Sequence, residues 1–361
     1  KPTSVVGNFS GQIDFQGYEL SINKMGDVAG IFTNIGPDGE VSNAVFNFKS
    51  ENGTRVYDDG ILCNYNYGHI HDVIVNYKGG SNVANQYYGL LCRTNASTGL
   101  IERFVINNAP EDGLFPFVAD YEAGLVAATN VGTIRDGYVY GEDIYGAPTQ
   151  SRGGEIRIAA VAGTNYHLGE IENVFSMVNV LVAPPSDKDG KANTSYGSIA
   201  GLEQGRVQNV YGIGQSTYTV PDADTGETYD VDSIGPVVGA NTDNCIGVYY
   251  WNEKEIAYPS STYQTQISLE TLYDYDWQEN ILGDGFNVQP VEVGYYPQVI
   301  ISAELPAQEL IPLPERDYAD LVEVMSAIVL SYAEDGNSAE VEFRLSNVRN
   351  AWVEELMIDG L

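Results

Sequence analysis

One short pattern recurs along the chain at intervals of a few tens of residues, and it limits the possible folds more than any other feature. It consists of Gly, any residue, Ile or Val, any residue, Asn or Asp, then an apolar or aromatic pair. It occurs as Gly39-Glu-Val-Ser-Asn43-Ala-Val, Gly68-His-Ile-His-Asp72-Val-Ile, Gly132-Thr-Ile-Arg-Asp136-Gly-Tyr, Gly169-Glu-Ile-Glu-Asn173-Val-Phe and Gly205-Arg-Val-Gln-Asn209-Val-Tyr, with looser copies from Gly99 and Asp243. Successive copies begin roughly 29 to 38 residues apart, a period that marks stacked structural repeats. Upstream of most copies stands a second pattern of Gly, any residue, apolar, small: Gly60-Ile-Leu-Cys63, Gly89-Leu-Leu-Cys92, Gly124-Leu-Val-Ala127, Gly197-Ser-Ile-Ala200 and Gly235-Pro-Val-Val238. Ala159-Ala-Val-Ala162 fits with its Gly replaced.

Each pattern alternates with period two, Ile or Val on one face and Glu, Arg, Gln or His on the other, and Gly marks the turns. The segments are too short and too β-branched for helical repeats. One repeat is therefore one coil of an all-β, right-handed parallel β-helix. Stacking places equivalent residues about 4.8 Å apart along the axis. Ile70, Ile134, Ile171 and Val207 then form an inward apolar ladder, and Asn43, Asp72, Asp136, Asn173 and Asn209 a polar one that satisfies backbone groups at a turn. Cys63 and Cys92 fall in one inward column with Ala127, Ala162 and Ala200, which predicts buried free thiols, since in-register side chains point the wrong way for a disulfide.

Polar loops at 183–190 and 220–227 are insertions of the kind that carry binding sites on a rigid stack. After Trp251 the period fades, and Ser268 to Trp277 reads as a short helix capping the open end of the solenoid. Tyr295 to Val299 closes a domain spanning residues 1–304. The segment 305–314, with three prolines, reads as an extended linker, and residues 305–361 as linker plus the start of a truncated β-sandwich-like domain. Its strands are 327–331, 339–345 and 352–358, with a turn at 334–337.

Fifty acidic against seventeen basic residues give a formal charge of −33, which repels phosphate backbones and anionic lipid and so excludes nucleic acid and membrane surfaces as partners. No apolar run is long enough to span a bilayer, so no membrane insertion is expected. Tyrosine, at 26 residues, makes the exterior acidic and aromatic, a surface suited to proteins or glycans. Three cysteines, Cys63, Cys92 and Cys245, are too few and too scattered for a disulfide framework or a zinc knuckle.

The Gly197-Ser-Ile-Ala-Gly201 and Gly205-to-Tyr211 patterns and the Val-Tyr-Tyr-Trp ending at Trp251 resemble the GLUG repeats of Gram-positive surface proteins. The order of coils, Gly294-Tyr-Tyr-Pro297, the proline-spaced segment from Leu305 and Ala339-Glu-Val-Glu-Phe343 resemble the non-catalytic part of streptococcal-type immunoglobulin A zinc metalloproteases. That resemblance implies a secreted, cell-wall-attached virulence protein of a Gram-positive bacterium. It further implies host immunoglobulin A or another host glycoprotein as partner, a monomeric scaffold, and zinc held by a catalytic domain elsewhere in the parent.

The residues themselves carry little catalytic chemistry. The histidines are His69, His71 and His167, which rules out a His-Glu-x-x-His zinc helix. His69 and His71 share the outward face of one strand beside Asp72, where two imidazoles offer a partial metal site, although solvated surface histidines are the favoured reading. Neither a Gly-x-Ser-x-Gly elbow nor a phosphate-cradling Gly-rich loop is present. The Asp187 and Asp222 loops have carboxylates of the type calcium takes without the ligand count of an EF-hand, and read as solvated acidic loops. No catalytic, cofactor or metal residue is therefore assigned. The expected function is a scaffold that positions substrate, with a surface adhesin and a polysaccharide lyase or glycosidase as the rivals.

Overall fold

The computed structural model describes residues 6–23, 30–50, 54–55, 60–82, 87–114, 117–119, 121–146, 155–182, 193–214, 216–218, 235–240, 244–252, 263–288, 294–314, 324–332 and 339–345. The Gly-punctuated repeats form a parallel β-helix. Among the described residues four sheets run along its axis, with eight, ten, six and four strands. A full coil passes through all four, as in Glu122–Gly124, Ala127–Asn130, Thr133–Gly141 and Ile144–Gly146.

Register follows the sequence ladders. Val41, Ile70, Ile101, Ile134, Ile171 and Val207 pair in turn and are fully buried; each contributes about 1.5–3 kcal/mol of burial. The small-residue column also holds: Cys63 pairs Cys92, then Ala127, Ala162 and Ala200 follow in register. Cys63, Cys92 and Cys245 are free thiols in the interior, and burial, reinforced by a contact with Cys92, pushes the Cys63 thiol well up. Gly89 is required by the arch before this column, because a Cβ there would stand 2.1 Å from the Cys92 carbonyl oxygen.

The polar ladder differs in its role. Asn43, Asp72, Asp136, Asn173 and Asn209, with Arg103 in the looser copy, sit mid-strand with φ between 48° and 53°. This left-handed conformation, which Asn and Asp tolerate best, bends each long strand and restores inward pointing on its far side, where Ala44 and Phe46 are fully buried. Apart from Asp72, which also accepts a backbone amide from Ser302, the side chains bond between coils instead of serving turn backbones as the sequence suggests. Asn173 donates to Asp136 at 3.1 Å, and Asn43 to Asp14 at 2.9 Å. Arg103 carries the costlier conformation while donating to Asp72 at 2.9–3.1 Å.

A second polar ladder lies inside. Asn66, Asn95, Asn130 and Asn165 are fully buried, and each amide donates to the next: Asn66 to Asn95 at 2.9 Å, Asn95 to Asn130 at 2.8 Å, Asn130 to Asn165 at 2.7 Å. Their Nδ2 groups also reach strand carbonyls, including Thr133 from Asn95 and Glu170 from Asn130. The column ends at Glu203, which accepts from Asn165 at 2.9 and 3.1 Å.

The helix expected to cap the open end is instead two helices, α1 (Leu269–Leu272) and α2 (Tyr275–Leu282), broken where Asp274 caps α2. Leu272, Ile281 and Leu282 pack with Tyr138, Phe175 and Tyr211, an aromatic column outside the bent strands. Those rings stack at 4.9 Å, nearly parallel, and the helices cover them. Capping falls to Gln264, whose side chain accepts from the Val237 and Val238 amides at 2.9 and 3.0 Å and donates to the Val238 carbonyl. Beside it Thr265–Gln266 adds a strand to Tyr249–Tyr250.

From α2 the chain runs back along the stack as a strap. Phe286 and Tyr296 lie on Phe175, the Ser302 amide donates to Asp72 at 2.8 Å, and the Glu304 carbonyl lies so close to Gly17 (φ 77°) that a Cβ there would clash. The chain then reverses. Tyr138 donates to Gln308 at 3.0 Å, and Tyr273 to the Pro314 carbonyl at 2.8 Å. Residues 305–314 are thus held against the helix, with Leu305 and Leu313 buried. Farther on, Val324–Tyr332 and Ala339–Leu345 pair antiparallel. The 334–337 turn and the 352–358 strand lie outside the described residues.

Candidate functional site

Polar side chains with chemical potential gather on the outer face of the long strands, ahead of the bend. Register sets out one column of Glu40, His69, Leu100, Thr133, Glu170 and Arg206, and beside it Ser42, His71, Glu102, Arg135, Glu172 and Gln208. Charges of opposite sign meet across coils. Glu102, its side chain 5% exposed, is clamped by Arg135, Arg103 and His69. The His69 bond and the two guanidiniums hold its carboxyl well below the usual range, against burial. His71 lies 2.6 Å from Asp72 and 3.1 Å from Glu40. Burial opposes ionisation of Asp72, but His71, Arg103 and the Ser302 amide outweigh it and bring its pKa to about 2. Burial likewise works against protonation of His71, and Asp72 and Glu40 overcome it, raising its pKa. The lattice continues through Arg135 to Glu172 at 4.0 Å and Arg206 to Glu170 at 3.4 Å.

His69 and His71 do share one face, with ring centroids 4.2 Å apart, but they are paired with carboxylates instead of standing solvated. Among the described residues no group of three or more His, Cys, Asp or Glu is placed to hold a metal. His167 lies apart on an exposed corner, its ring 4.6 Å from that of Tyr166. These residues do not fit a catalytic zinc, which needs three convergent ligands and an open position. The Asp187 and Asp222 loops lie outside the described residues.

Besides Glu102, two more buried carboxyls escaped the sequence reading. Burial raises the pKa of Glu122 although Thr129 and Arg157 donate to it. Burial takes Glu203 up to about 8, opposed by the Asn165 bond. A glycosidase needs two carboxyls that reach the sugar, about 5–9.5 Å apart, whereas the Glu122 side chain is 3% exposed and Glu203 is fully buried. Glu203 has a sequence signal: it stands three residues after Ala200, as each ladder Asn stands three after Cys63, Cys92, Ala127 or Ala162.

Above Glu122 runs a strip of rings. Tyr65 and Tyr67 lie 6.2 Å apart and near parallel, the Arg93 guanidinium sits 5.7 Å from Tyr65 and 4.9 Å from Tyr87, and Tyr87 meets Tyr121 edge-on at 5.3 Å. Tyr87 and Glu122 are register partners on adjacent coils. The members come from three coils and show no spacing of their own in the sequence.

No protein-family model matches the chain, and neither does any curated protein or solved structure.

Proposed function

We propose that this chain is the non-catalytic, substrate-positioning region of a secreted, cell-surface zinc metalloprotease that cleaves host immunoglobulin A. The observation that carries the scaffold half of this reading is the ion-pair lattice. Each histidine and carboxylate on the most polar face is held by a neighbour from the next coil, which stiffens the stack and leaves the group unsuited to acid–base work. The strap adds rigidity along the axis, as a positioning arm needs. The protease half rests on the GLUG-like repeats and the segments from Gly294, Leu305 and Ala339, and it places the zinc in another part of the parent.

A surface adhesin is the second reading. What favours it is the corner formed by Tyr166 and Leu168, 43% and 71% exposed, an outward-facing apolar knob that needs no protease behind it.

Binding of the chain to human immunoglobulin A, measured by biolayer interferometry, tests the first reading. Saturable binding with a Kd on the order of micromolar is expected, worth about 8 kcal/mol. No binding at about a hundred times that concentration, or equal binding to unrelated serum glycoproteins, would overturn it. New reducing or unsaturated ends after incubation with acidic polysaccharides would contradict both readings.

A further inference from the structure

We infer that the strip of Tyr67, Tyr65, Arg93, Tyr87 and Tyr121 is a binding site for a neutral oligosaccharide, laid obliquely across three adjacent coils. The inference goes beyond the positioning role and does not depend on a protease parent.

Geometry comes first. Centres step by 4.9 to 6.2 Å along the strip, about the advance of one pyranose ring in an extended glycan. Tyr67 is 38% exposed and Tyr65, Arg93, Tyr87 and Tyr121 are each partly exposed, so the strip reaches solvent along its length although the Arg93 guanidinium covers part of the Tyr65 and Tyr87 rings. Tyrosine offers an apolar face and a hydrogen-bonding tip at low entropic cost. A sugar presents the same pairing: C–H groups on one face, hydroxyls around the rim.

The support beneath the rings is stiff. Tyr65 lies in a strand paired on both sides, to Asn34 and Thr94. Tyr87 pairs with Glu122, whose carboxyl is fixed by Thr129 and Arg157. Burial, the Glu122 charge and a hydrogen bond with Tyr121 raise the Tyr87 pKa to about 12, so its hydroxyl stays neutral and is held by its neighbour. A pre-set platform loses little freedom on binding.

Charge narrows the ligand. At −33 the chain repels polyanions at long range, and the one cation of the strip is already engaged with two tyrosine rings. A hydrophobic helix or loop would need an aliphatic groove, which five polar aromatic and guanidinium groups do not make. A neutral glycan fits both constraints.

The test is calorimetric titration of the whole chain with lacto-N-neotetraose, a neutral tetrasaccharide, and with its sialylated form. Saturable binding of the neutral sugar is expected with a Kd on the order of 1 mM or tighter. Tyr67→Ala weakens it by about tenfold or more, Tyr67→Phe by only a few-fold because the ring face remains, and Tyr166→Ala, three coils farther along the same corner and outside the strip, leaves it unchanged. Thermal melts of the variants matching wild type show that the fold is intact. No saturable heat up to several times the expected Kd, wild-type affinity in Tyr67→Ala, an equal loss in Tyr166→Ala, or tighter binding of the sialylated sugar would overturn the assignment.

Discussion

Glu203→Gln is expected to raise the melting temperature by a few degrees at pH 7 and to leave it unchanged at pH 4. The side chain is fully buried at the end of the asparagine ladder, and its pKa is raised to about 8 in the folded chain against 4.5 ordinarily. A carboxyl with a raised folded pKa contributes its full stability below pH 4.5, and that contribution is lost as pH rises through about 8. Each pH unit in that window costs about 1.4 kcal/mol, so the ceiling at pH 7 is about 3 kcal/mol. Glutamine accepts the Asn165 bond without ionising, and the variant curve should lose this slope. On the acid side the sign reverses: the Asp72 pairs stabilise above its ordinary pKa of 3.8 and are lost as pH falls through about 2. Scanning calorimetry of both proteins from pH 4 to 8.5 measures the difference, and a gap that does not widen with pH contradicts the account.

Asn130→Ala should be among the most damaging single changes, destabilising by about 3–5 kcal/mol. The side chain accepts from Asn95 at 2.8 Å and donates to Asn165 at 2.7 Å and to the Glu170 carbonyl at 3.1 Å, all in the interior. Removing it interrupts the ladder in mid-stack and strips the Asn165 carbonyl oxygen of that donor in a place water does not reach. Thr98→Ala, on an exposed corner where the hydroxyl donates to the Tyr67 carbonyl, should cost under about 1 kcal/mol by comparison. Urea unfolding of the two variants gives the comparison directly, and equal midpoints would contradict the ladder's role.

Stack, register and thiol column were legible because Gly marks nearly every coil and the Ile or Val two residues later has a single way to face. The bend residues were visible as Asn or Asp, yet their work was misjudged. A residue at positive φ inside a strand looks, in sequence, like one ending it, and Arg103 hides the pattern altogether. The interior asparagines were overlooked because a buried polar column runs against hydrophobic patterning and shows only once coils are aligned. The strap was hidden for another reason: Ser302 meets Asp72 across 230 positions, and the segment that makes the contact carries no repeat. For the candidate site, the shared face of His69 and His71 followed from alternation. Glu102 and the tyrosine strip needed the register between coils, which variable loop lengths blur.

Everything depends on successive coils lying in parallel register so that like side chains touch. Methyl nuclear Overhauser measurements on the isoleucine δ1 groups test this most directly. Strong contacts are predicted between Ile70 and Ile101, Ile101 and Ile134, and Ile134 and Ile171, falling off steeply for pairs that skip a coil. Weak or missing neighbour contacts, or strong ones to residues an antiparallel hairpin would bring opposite, would contradict the stack.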